Sequence, residues 1–67
     1  MSVREILGIS DPNIFVKIIL NDKHFIVGTS SALFNTMKES MLCAEVVVLT
    51  IEKRTLILKL WGDHNAY

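Results

Sequence analysis

Glu45–Trp61, EVVVLTIEKRTLILKLW, is the stretch on which the fold turns. Its first part, Glu45 to Leu49, is a run of β-branched residues and reads as a strand. Val46 and Val48 oppose Val47 and Leu49, so both faces are apolar, as in a strand buried on two sides. The second part, Thr50 to Trp61, supports two readings. As a strand, Leu56, Leu58 and Leu60 alternate with Ile57, Lys59 and Trp61, and Glu52-Lys53-Arg54 becomes a hairpin turn. That turn lacks the Gly, Asn or Asp that a tight hairpin prefers. As a helix, Leu56, Ile57, Leu60 and Trp61 form one stripe, Glu52 sits near the positive end and Gly62 stops it. The strand reading makes the chain a ββαββ mini-domain. The helix reading makes it hairpin, helix, strand, helix. Either way the fold class is α+β.

Upstream, Ile14 to Leu20 (IFVKIIL) has the β-branched and aromatic content of a strand, with Ile14, Val16, Ile18 and Leu20 on one face. Phe15, Lys17 and Ile19 take the other face. Asn21-Asp22-Lys23 suits a turn, and His24 to Gly28 returns as a second strand, so this stretch is a hairpin. Thr29, Ser30 and Ser31 each have capping chemistry for a helix over Ser31 to Leu42. Leu33, Phe34, Met37 and Met41 share one side of that helix and are expected to pack on the sheet. At the N-terminus, Ser2 and Glu5 have the spacing of a capping box for a short turn that Gly8 would end. Ser10-Asp11-Pro12-Asn13 is a turn cluster. Residues 1–13 thus read as a lead-in, 14–61 as one domain and 62–67 as a polar tail.

With 67 residues, this is one domain with a thin core. Hydrophobic residues make up 51% of it, more than so small an interior easily hides. Cys43 is the only cysteine, so no disulfide within the chain adds stability. Cys43, His24 and His64 are too few for a closed zinc site. The stabilisation still missing points to a partner surface. Seven basic residues balance seven acidic ones, and no basic stripe is longer than Lys53-Arg54. That argues against nucleic acid as a direct partner. Lys17, Lys23, Glu45 and Lys59 interrupt the apolar runs, which excludes a helical membrane span. Arg4 and Glu5 near the start do not suit a secretory signal. A lone thiol then fits the cytoplasm or nucleus.

Chemistry-bearing constellations are weak. Asp22, His24 and Cys43 supply the residue types of a nucleophilic triad, but a hairpin turn and a helix end need not face one another. Cys43 reads as a small buried side chain. Asp63-His64 with His24 lacks metal-ligand spacing. Gly8, Gly28 and Gly62 are scattered, so no phosphate-cradling loop forms, and the carboxylates are well separated. The expectation is a non-enzymatic protein with no cofactor and no metal.

The order hairpin, helix, strand resembles the front half of the BTB/POZ family, in the compact form of the elongin C-type adaptors of cullin-RING ubiquitin ligases. The residues that carry the resemblance are Phe15-Val16-Lys17-Ile18, Asn21-Asp22, Phe25-Ile26-Val27, Ala32-Leu33, Met41-Leu42 and Glu45-Val46, then the Leu56-Ile57-Leu60 pattern. It covers about residues 14 to 61. Lys23 stands where the family's first turn has Gly, Leu42 runs almost directly into Glu45 without the long acidic loop, and the family's later helices are missing. The resemblance implies a helix over Thr50 to Trp61, and a protein-binding adaptor, shortened, within a larger complex. The alternatives are a small homodimeric β-rich domain and a protein component of a ribonucleoprotein assembly. In the first two, Val46, Val48, Ile57 and Trp61 are the candidate protein-contact residues, and the chain is not a lone monomer in its working state.

Overall fold

The computed structural model describes residues 1–62, so the tail from Asp63 onward, with His64, lies outside the described residues. The chain begins with helix α1 (Val3–Ile9). Ser2 and Glu5 close the capping box, with the Glu5 N–H donating to Ser2 Oγ and the Ser2 N–H to the Glu5 carboxylate. The helix runs one residue past Gly8 and ends on Ser10, whose N–H and hydroxyl both donate to the Ile6 carbonyl. Strands β1 (Phe15–Ile19) and β2 (Phe25–Thr29) follow as an antiparallel hairpin, as expected from their two apolar runs.

The helix expected over Ser31 to Leu42 is two helices. Thr29 caps α2 (Ser30–Thr36), its hydroxyl accepting from the Ala32 N–H at 3.2 Å. Met37 and Lys38 are extended, and α3 (Glu39–Leu42) follows. The break turns Met37, Met41 and Leu42 all into the core. One continuous helix would swing Leu42 about 140° away from Met37 at 100° per residue. Leu33, Met37 and Met41 are buried as expected, but Phe34 is 41% exposed. It lies in a shallow hollow with Leu7, Gly8 and Pro12 rather than on the sheet.

Strand β3 (Val46–Glu52) turns through Lys53 and Arg54 into β4 (Thr55–Leu60). The C-terminal helix implied by the resemblance is therefore a strand, and the fold is an α+β mini-domain with a mixed four-stranded sheet. Sheet order is β2-β1-β4-β3, with β1 and β4 parallel in the middle and both outer pairs antiparallel. Magnitudes explain the outcome. Lys53 and Arg54 adopt φ of 50° and 64°, which costs about 1–2 kcal/mol for each residue with a side chain. In return Leu56, Leu58 and Leu60 are 5%, 0% and 3% exposed. Burial stabilises by about 1.5–3 kcal/mol for each such side chain, so the sheet wins over local turn chemistry.

All three helices lie on one side of the sheet. Val3, Ile6 and Leu7 of α1 join Val16, Ile18, Leu20, Leu33 and the β4 leucines in a single core, so the lead-in is packed structure. Ser30 is the one buried polar residue among those described. Its N–H donates to the Ile14 carbonyl at 2.9 Å and its hydroxyl to the Leu7 carbonyl at 3.0 Å, which satisfies an orphan acceptor at the end of α1.

Candidate functional site

Strand alternation sends Phe15, Lys17 and Ile19 of β1 away from the helices, with Phe25 and Val27 of β2, Ile57 and Lys59 of β4, and Val48 and Thr50 of β3. Nothing among the described residues covers this second face. Phe15, Phe25 and Val27 are each more than half exposed. The Lys17 ammonium sits 4.4 Å from the centre of the Phe25 ring, a cation–π contact on the open surface. Lys17 and Lys59 thus put two positive charges in the middle of a largely apolar face.

The β3 edge is the second uncovered element. β3 was expected to carry apolar residues on both faces in a chain too small to cover both, and it is an outer strand whose residues Val47 to Glu52 are all exposed. α2 packs beside β2 at the opposite edge of the sheet, and Leu49 and Ile51 are 50% and 65% exposed although they point to the helix side. A register shift between Val46 and Val48 marks a bulge at the start of the strand. The chain's first residues cover that start. Ser2 bridges Glu45, the Val3 N–H donates to the Ala44 carbonyl at 3.1 Å, and the Val46 N–H donates to the Met1 carbonyl at 2.8 Å. The terminal ammonium pairs with the Glu45 carboxylate at 3.1 Å. From Val47 onward this cover stops.

The four candidate contact residues therefore separate. Val48 and Ile57 come together on the open face, one diagonal step apart. Trp61, 71% exposed, rims a depression at the end of β4 with Ile19, Val47 and Lys59. Val46 turns the other way and packs against the core. Phe15, Phe25, Leu49 and Ile51 belong to the exposed surface too. Their signal in the sequence was an apolar residue on both parities of a strand in a chain too small to bury both.

Other chemistry-bearing groups stand apart. His24 Nδ1 lies 3.1 Å from Asn21 Oδ1 within its own turn, and Cys43 Sγ lies 3.7 Å from Glu39 Oε1. Cys43 is exposed rather than buried, because it caps α3 on the outside. Glu39 also pairs with Arg4, which ties α3 to α1. Among the described residues no group of three or more His, Cys, Asp or Glu is placed to hold a metal ion. Among them, too, no helix is long and apolar enough to cross a membrane. No protein-family model matches the chain, and no curated protein or solved structure matches it either.

Proposed function

We propose that this chain is a non-enzymatic protein-binding module that works by adding a polypeptide strand to the β3 edge. One observation carries this reading: a six-residue, largely apolar edge, Val47 to Glu52, exposed along its length with no Pro or Lys within it. Edges of this kind pair with other chains unless they are blunted, and strand addition is a standard mode of protein recognition. A hairpin at residues 46–60, in place of a helix, favours a mini-domain over a cullin-ligase adaptor. Two lysines on the open face are too few for a phosphate track, so a protein fits better than nucleic acid.

Residue-resolved amide exchange tests this. The Leu49 and Ile51 amides should exchange fast in the dilute chain and slowly in the complex recovered from cells under native conditions. Protection confined to the helices, with the β3 amides unchanged, would refute strand addition. Salt-sensitive binding of a single-stranded oligonucleotide with the same protein would move the function to nucleic acid.

A further inference from the structure

The β3 edge has a self-complementary register, and we infer that its occupant is the β3 strand of a second copy, paired antiparallel about a two-fold axis at Thr50. This rests on the β3 edge being a protein-contact surface.

Glu52 and Thr55 close the two-residue turn, so they form a hydrogen-bonded pair, as do Thr50–Ile57 and Val48–Lys59. The alternation leaves the N–H and C=O groups of Leu49 and Ile51 pointing away from β4, to the outside. Two such residues on each copy exchange four backbone hydrogen bonds when Leu49 meets Ile51 of the second copy and Ile51 meets Leu49 of the second copy.

The N-terminal cover selects this register. An axis at Leu49 sets Glu52 and Lys53 of the second copy opposite Val46 and Glu45, where Met1 and Ser2 already lie. An axis at Ile51 shortens the paired stretch. At Thr50 the incoming strand ends with its Glu52 opposite Val48, just clear of the cover. Leu49 and Ile51 then form an apolar cluster with their counterparts on the helix side, and Thr50 meets Thr50 of the second copy.

Charge fits as well. Val47 to Ile51 carry none, so no like charges are paired. Val48 pairs with Lys59 within the chain and with Glu52 of the second copy across the new junction. Lys59 and that Glu52 are thus two strands apart on the same face, about 9.6 Å between backbones, a gap their side chains span together. The axis makes two such pairs. A face-to-face dimer would instead bring the central Lys17 and Lys59 near one another.

Thr50→Cys in a Cys43→Ser background tests the axis. Opposed residues of a non-hydrogen-bonded pair have Cα atoms about 4.5 Å apart, within disulfide range. Under mild oxidation this variant should become mostly a covalent dimer. Leu49→Cys and Ile51→Cys in the same background should stay largely unlinked, like the exposed-helix control Thr36→Cys. Sedimentation should show a monomer–dimer equilibrium that Ile51→Lys weakens at least tenfold with an unchanged circular dichroism spectrum. Preferential linking at Leu49 or Ile51 overturns the register, and an open ladder of oligomers overturns the closed dimer. A monomer at every concentration overturns self-pairing. The strand-addition reading then stands or falls separately, on β3 amide protection in the native complex.

Discussion

In the β1–β2 hairpin the chain reverses over Asn21-Asp22-Lys23, and the bend is held from within. The Asn21 side-chain oxygen accepts from the Lys23 N–H at 2.9 Å and from the His24 N–H at 3.0 Å. In the β3–β4 hairpin the chain reverses over Lys53 and Arg54, both in the left-handed region. Neither residue has the short polar side chain or missing Cβ that makes that conformation cheap. The first turn would bend much the same in a peptide, whereas the second is imposed by what β4 buries. A hairpin can be local chemistry or tertiary consequence, and this chain contains one of each.

The largest effect should come from removing what holds the second hairpin in place. Leu58 is fully buried between β1 and β3, and Leu58→Ala should cost about 2–5 kcal/mol, enough to unfold much of so small a domain. Thermal unfolding followed by circular dichroism checks it; a melting temperature within a degree of the parent's would show that β4 is not the keystone.

Next comes the anchor of the first hairpin. Ser30→Val leaves the Leu7 carbonyl without its buried donor and should cost about 1–3 kcal/mol in urea denaturation. Ser30→Thr, which restores a hydroxyl, should recover part of it.

The two turns should then respond with opposite signs. Lys53→Asn with Arg54→Gly should stabilise by about 1–3 kcal/mol, because the new residues accept positive φ. Asn21→Ala should destabilise by about 1 kcal/mol. If both changes shift the urea midpoint in the same direction, the contrast between the hairpins is wrong.

The smallest effect is a pH dependence confined to the β3 side. The Glu5 carboxyl is held below its usual range by the backbone N–H of Ser2 first, then by the Ser2 hydroxyl. Its folded value lies below the unfolded one. Its contribution is therefore complete above the unfolded value and is lost as pH falls through the folded one. Ser2 also bridges Glu45, so acidification should loosen the cover over the start of β3. The exchange rate of the Val46 amide, corrected for its intrinsic pH dependence, should rise relative to Leu58. Glu5→Gln, which removes the titrating carboxyl, should flatten that response.

What the sequence showed follows the same division. The first hairpin, the capping box at Ser2 and Glu5, and the inward side of Leu33, Met37 and Met41 rest on near neighbours, and all three were legible. The break at Met37-Lys38 carries no Gly or Pro and exists because two short helices bury more than one straight one. Phe34 lies away from the sheet because α1 offers it a flank, and nothing near Phe34 in sequence announces α1. Thr50 to Trp61 was balanced on pattern alone, and the partner that decided it, β1, lies far away along the chain. Among the candidate contact residues, Val48 and Trp61 were legible as apolar residues the fold leaves exposed, and Ile57 beside Val48 is half-buried. Val46 was not, because the bulge beside it reverses its side.

The parallel pairing of β1 with β4 also sets the order of events in time. It joins residues 40 apart in sequence, Phe15 with Thr55, and it runs through the centre of the sheet. Until residue 60 is available, the nascent chain has a finished hairpin and three short helices but no second wall for them to close on. Loop closure over that distance comes before the reward of burial, so folding should be slow for the chain's length and nearly all-or-none. A ribosome-bound chain that stops before Leu56 would present Val16, Ile18 and Leu20 to solvent, and so become a client for whatever in the cell first meets exposed strands.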